Sequence, residues 1–258
     1  MGIDLKILTS PESKAAIYWG HQFQFANNET GYITIGIGGT TKVASFGIFD
    51  AVQGNPENSS GICDNVIGFL NTGIGSACYL MYQWNTGYDY RLEISRVADA
   101  NGSEQWQGSI YDYSSNSLSI IGNILVAPSY GQLGTVSSTW DEYAYYSTCN
   151  TPLSSAIFSY PNASNQGVGY APVKAQVTYG NSTCQDSNVR YLGGGAYEAD
   201  AGMNVTRTTA AGAWLWTQEP TLVSQSQITL PELSLDPTPE TVFLTSITII
   251  LGVQRSRN

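Results

Sequence analysis

The chain is short of cations. It carries 10 Lys and Arg in 258 residues against 20 Asp and Glu, for a formal net charge of −10. Nothing in it can form a basic patch to grip phosphates, which argues against a nucleic-acid partner and against an anionic membrane surface. Charged residues of both signs make up 12%, about half the roughly 25% of an ordinary soluble domain. Histidine occurs once, at His21, too few for the usual zinc donor sets, and no C-x-x-C is present. No G-x-S-x-G marks a nucleophile elbow. No apolar run reaches the roughly 18 residues of a membrane span. No stretch sustains a 3.6-residue period, so long helices are not expected. The opening MGIDLKILTSPESKAAIYWG lacks the basic and long apolar regions of a signal peptide. A secreted form is therefore expected to have lost its leader or to be an internal fragment.

What is present points outside the cell. The chain has 17 Tyr, 6 Trp and 27 Gly, a composition that suits an extracellular β protein with polar loops and is too aromatic for overall disorder. Cysteines stand at Cys63, Cys78, Cys149 and Cys184. Four allow three pairings, of which Cys63–Cys78 with Cys149–Cys184 is simplest, each pair closing a local loop. Sequons for N-glycosylation fall at Asn28, Asn58, Asn101, Asn162, Asn181 and Asn204, all in loop-like stretches. Cysteines and sequons together favour an oxidising, secretory history and an extracellular or cell-surface location.

Alternation with period 2 dominates the pattern. Ile17, Trp19, His21, Phe23 and Phe25 share one parity; Tyr18, Gly20, Gln22 and Gln24 share the other. Alternate strand residues face opposite ways, so His21 falls on the apolar face and the glutamines on the polar one. The same holds for Ile33, Ile35 and Ile37, and for Tyr88, Tyr90, Leu92 and Ile94 against Asp89, Arg91, Glu93 and Ser95. The NTG before that run reads as a hairpin turn. Further strands are expected in QWQGSIYDY, LSIIGNILV, TWDEYAYYS, SAIFSY, VKAQVTYG, NVTRTT and GAWLWTQ. About twelve short strands between Gly, Asn and Ser turns predict an all-β antiparallel sandwich or jelly roll, concanavalin-like, over residues 1–218. Residues 219–258 carry Pro220, Pro231, Pro237 and Pro239 and read as an extended tail, with VFLTSITIILGV as a final strand.

Candidate chemistry is sparse. His21 on an apolar face reads as a neutral core residue rather than a general base. A glycosidase needs two carboxylates flanking one bond. Asp141 and Glu142 are adjacent and point to opposite faces of a strand, while Asp89 and Glu93 share a face with Arg91 between them. No cofactor is implied beyond calcium, for which the loop FDAVQGNPENSSGICDN offers the oxygens of Asp50 and Asp64. Sugar recognition needs flat rings beside amides and carboxylates. Trp84, Trp106, Trp140 and Tyr145 are candidate platforms, with Tyr18, Gln22, Gln24 and Asn85 as polar partners.

The motifs YWGHQFQF, GYITIGIG, KVASFGIFD, GIGSACY and WNTGYDYRL occur in this order between Tyr18 and Leu92. The order resembles the extracellular family called domain of unknown function 3472, whose pattern runs Y-W-x-x-Q-F, G-Y-I-G-x-Q, F-S-x-W-D, G-x-G-x-x-C and W-x-x-G-x-x-Y. The likeness covers roughly Ala15 to Tyr146. Phe49 stands where the pattern has Trp and Thr34 where it has Gly, and the pattern's Gln has no counterpart in this stretch. The resemblance implies a β-sandwich outside the cell and, by analogy, a carbohydrate-related role. The expected function is non-catalytic binding of glycans or polysaccharide. The alternatives are a structural subunit of a surface filament that self-assembles partly through its C-terminal tail, and a glycoside hydrolase or lyase.

Overall fold

The computed structural model describes residues 1–11, 16–51, 53–55, 61–67, 74–100, 103–144, 151–165, 168–172, 174–180, 184–217 and 246–251. In chain order the strands are β1 (Gly2–Thr9), β2 (Ala16–Phe25), β3 (Thr30–Gly38), β4 (Thr41–Phe49), β5 (Gln53–Asn55), β6 (Ile62–Ile67), β7 (Ile74–Met81), β8 (Asp89–Ala100), β9 (Ser103–Asp112) and β10 (Ser117–Val126). After a short 3-10 turn at Pro128–Tyr130 come β11 (Leu133–Ala144), β12 (Ser154–Ser159), β13 (Ala163–Asn165), β14 (Val168–Tyr170), β15 (Lys174–Tyr179), β16 (Ser187–Gly193), β17 (Ala196–Ala201), β18 (Trp214–Thr217) and β19 (Ser246–Leu251). No α-helix occurs among the described residues, and no helix there is long and apolar enough to cross a membrane.

The strands form two large sheets and one small hairpin. Sheet A runs β16-β17-β12-β1-β8-β9-β10-β5, sheet B runs β18-β15-β19-β11-β2-β3-β4-β7-β6, and β13 pairs with β14. Pairing is antiparallel except where β19 lies between β11 and β15, parallel to both. The tail's strand thus belongs to sheet B itself. The Pro-rich stretch before it lies outside the described residues. Two expectations need correction. The NTG turn is not a hairpin: it joins β7 of sheet B to β8 of sheet A, which do not pair. The NVTRTT stretch is irregular, not a strand; the Asn188 carboxamide oxygen holds it by accepting the backbone N–H groups of Thr208 (2.9 Å) and Thr209 (3.1 Å). Side-chain capture of this kind replaces a ladder.

The inward parities of both sheets meet in one core that includes Ile17, Trp19, Phe23, Phe46, Tyr90, Leu92, Ile110 and Phe158. The sheets interlock at specific points. Trp19 on β2 donates its indole N–H to Ser154 Oγ on β12 (3.0 Å). Phe25 on β2 meets Trp106 on β9 edge to face at 5.3 Å, the geometry that ring quadrupoles favour. Cys63 and Cys78 stand opposite each other on β6 and β7 and form a disulfide, the first of the two expected bridges. Cys184 is also disulfide-bonded; Cys149 lies outside the described residues.

Candidate functional site

His21 is where its parity puts it, in the core at 1% exposure. Its Nδ1 lies 3.2 Å from Thr139 Oγ1 on the neighbouring β11, and its Nε2 packs 3.3 Å from the Met1 sulfur. Burial drives its pKa down to about 3, and the Met1 amino charge adds to the effect. The ring is neutral and faces no solvent. Asp141, on the same inner face of β11, accepts a hydrogen bond from Ser154 Oγ (2.8 Å), and burial raises its pKa well above the carboxylate range. Glu142 stands in register with Tyr18 on the opposite face, so the adjacent carboxylates lie on two sides of one sheet.

Two of the expected ring platforms are core residues. Trp84 is 1% exposed; its N–H reaches the Gly36 carbonyl (2.9 Å), Trp19 meets it edge on, and the Lys42 ammonium lies 4.3 Å from its ring centre. Trp106 is 3% exposed beneath Phe25. Neither ring has a face left for a sugar, because loop and sheet aromatics both fill the gap between the layers. Tyr145 lies outside the described residues.

The remaining candidates gather on the outward face of sheet B. Register aligns Trp140, Gly20, Thr34, Ser45 and Tyr79 across β11, β2, β3, β4 and β7, with Gln22 beside Tyr32 and Tyr18 beside Gly36 in the flanking rows. The rings lie down on glycine. A Cβ on Gly20 would fall 2.6 Å from the Trp140 ring, and one on Gly47 would fall 2.5 Å from the Tyr32 ring. Thr34 and Ser45 share a 2.5 Å hydroxyl hydrogen bond. Tyr18, Gln22 and Gln24 are half-buried, but Trp140 is only 8% exposed. The face is low in charge, and its largest ring offers little surface.

A second group was not found from the sequence. The β9–β10 turn and the segment before β8 meet at one end of sheet A. The Tyr113 N–H donates to the Asp89 carbonyl (3.1 Å), which sets Tyr113 beside the Tyr88–Asp89 step. Tyr88 and Tyr113 are each 44% exposed. Tyr111 meets Tyr113 edge to face at 5.0 Å. The Tyr113 hydroxyl donates to Asp4 Oδ1 (3.0 Å), and burial followed by the Asp4 charge pushes its pKa up to about 12. Asp4 also takes Arg91 Nη1 (3.2 Å), while Arg91 gives Nε to Glu93 (3.1 Å) and Nη2 to the Asn162 side-chain oxygen (2.6 Å). Exposed Asn85, an expected site residue, lies nearby, its N–H on the Tyr90 hydroxyl (2.7 Å). The turn is rigid. Asp112 accepts from Ser114 N–H (2.8 Å) and Oγ (2.6 Å) and from Ser115 N–H (3.4 Å). Burial pushes the Asp112 carboxyl up, yet these hydrogen bonds outweigh it and hold it below its usual range. Periodicity assigned Tyr88 to the strand's apolar face; the usable signal was the tyrosine-flanked turn YDYSSNS.

For the metal expectation, Asp50 is exposed with a left-handed backbone, and the Asp64 side chain lies outside the described set. No group of three His, Cys, Asp or Glu gathers among the described residues. Of the sequons, Asn28 and Asn204 sit exposed in left-handed turn positions, a conformation Asn tolerates. Asn162 is half-buried on Arg91. Asn58, Asn101 and Asn181 lie outside the described residues. No protein-family model matches the chain, and no curated protein matches it.

Proposed function

We propose that this protein is a non-catalytic glycan-binding β-sandwich that works outside the cytoplasm. One observation carries the reading: two exposed tyrosines gather at one end of sheet A, Tyr88 in the segment before β8 with exposed Asn85 and Asp89, and Tyr113 on the rigid β9–β10 turn with its hydroxyl on Asp4. Rings stack on the C–H faces of sugars, and carboxylates and amides take the hydroxyls, the usual division of labour in a ligand site. The net charge of −10 repels acidic polymers, so the ligand is a neutral or amino sugar chain. The Cys63–Cys78 bridge suits an oxidising compartment. The ordered motifs between Tyr18 and Leu92 support kinship with the domain of unknown function 3472 family.

Titration calorimetry against soluble neutral, amino and acidic polysaccharides tests this. Tyr88→Ala with Tyr113→Ala is expected to weaken binding at least about tenfold, the cost of losing anchor rings. Binding that is absent for every polymer, or strongest for acidic ones, would sink the proposal.

A further inference from the structure

The strand that closes sheet B arrives from the far end of the chain, and its place there is unusual. β19 is internal, with β11 on one side and β15 on the other, and these are the only parallel pairings among the described strands. Its register is defined on both sides: Ser246 opposite Val136, Ile247 opposite Ser137 and Ala175, Ile249 opposite Thr139 and Val177. Taking β19 away would leave two facing rows of unpaired backbone groups, an edge condition that invites another strand.

The connection to β19 is far longer than its path requires. Thr217, the last residue of β18, stands opposite Lys174 on β15. Ile247 stands opposite Ala175 on the other side of the same strand. Thr217 and Ser246 therefore flank the start of β15, about 10 Å apart at two strand spacings. On the order of five residues would bridge that gap. The chain spends residues 218–245 on it, roughly 28 residues that reach about 90 Å when extended. A tether this long dilutes the effective concentration of its own strand and lets the strand reach another molecule.

We infer that the slot between β11 and β15 accepts the Ser246–Leu251 strand of a second copy of this chain. Main-chain pairing supplies the affinity, as in other strand-addition contacts. Reciprocal exchange closes a dimer, and head-to-tail donation makes an open chain. The inference is independent of the glycan reading.

The test uses the full chain in two forms that each gain one cysteine, Val136→Cys and Ser246→Cys, co-expressed in an oxidising compartment. Strand neighbours lie at a separation compatible with a disulfide, and no cysteine among the described residues is free to compete. The expected result is a reducible covalent species at twice the 27.8 kDa chain mass, absent when either form is expressed alone. The Val136→Cys/Ser246→Cys double variant measures the slot within one molecule. If it closes its disulfide internally while the mixture gives no intermolecular product, the inference is overturned. A double variant that forms no disulfide at all overturns the slot itself, and cross-linking of either single form alone overturns the specificity.

Discussion

The outward faces of the two sheets are built from different materials. On sheet A, Arg91 lies 5% exposed and binds Asp4, Glu93 and Asn162 at once, with Tyr113 over the same carboxylate and Lys6 paired to Asp89 at 3.0 Å. On sheet B the corresponding rows hold glycines, hydroxyls and rings: Gly20 under Trp140, Gly47 under Tyr32, Thr34 bonded to Ser45. The first face is ordered by charge and keeps rings at its end in solvent. The second is ordered by shape and presses its rings onto the backbone. An aromatic-rich sequence therefore does not locate a platform by itself. What matters is whether a ring's cross-strand neighbour is small enough to let it lie flat or polar enough to hold it upright.

Acid is expected to act on neither face first, and this is the largest effect. The group with most leverage is His21, behind sheet B. Its folded pKa of about 3 lies below the ordinary 6.5, so the unfolded chain binds a proton that the folded chain refuses. Stability is then full above about pH 6.5 and falls as pH drops toward 3. Between pH 7 and pH 4.5 the loss is roughly 3 kcal/mol. Asp141 works in the opposite sense: its raised pKa costs stability as pH rises above the ordinary carboxyl value. Urea midpoints at several pH values, for the native chain and His21→Gln, check this. A His21→Gln variant whose stability changes between pH 7 and pH 4.5 as the native chain's does would contradict it, since Asp141 acts alike in both.

Arg91→Met breaks sheet A's face by removing the guanidinium that lies over Gly2 while keeping an unbranched side chain of similar length. Removing one partner from a buried ion cluster costs about 3–5 kcal/mol when all partners are buried. Asp4 and Glu93 are partly solvated here, so about 2–3 kcal/mol is expected. Adding Asp4→Asn and Glu93→Gln should restore much of it, because the uncompensated carboxylates are then gone. Failure of that rescue would mean that packing, not charge, orders the face.

The sequence made one of these faces far more legible than the other. Parity alone put Trp19 and His21 inward and Tyr18, Gln22 and Gln24 outward, because the large side chains of β2 alternate, with only the small Gly20 buried on the outward side. Parity also put Arg91 outward, correctly, but could not show that Asp4 and Asn162, remote in sequence, would bury it. Trp84 was opaque for a similar reason: it follows β7 in a connecting segment, where no period applies, and its partner Gly36 is 48 residues away. The inner row of β11, with Ser137, Thr139 and Asp141, is polar, so the expected strand TWDEYAYYS caught only the second half of Leu133–Ala144. The placement of β19 inside sheet B follows from parallel pairing across most of the chain, which no local pattern encodes.

The smallest effect separates the two construction rules most cleanly. Gly20→Ala adds one carbon to sheet B, and that carbon meets the Trp140 ring and the Thr34 methyl at 2.6 and 2.7 Å. Both are held by the strands on either side of β2, so the ring must lift off the sheet, at about 1–2 kcal/mol for the overpacking. Lys6→Ala makes a change of ordinary size on sheet A and removes a solvent-exposed ion pair, worth less than about 0.5 kcal/mol. Chemical denaturation of the two variants, with near-ultraviolet dichroism to report the tryptophans, should show a stability loss and a changed aromatic signal for Gly20→Ala alone. If Lys6→Ala costs as much, charge pairing matters more on sheet A than its exposure allows. If Gly20→Ala costs nothing, Trp140 is not held against the sheet, and its ring becomes available as the platform its composition first suggested.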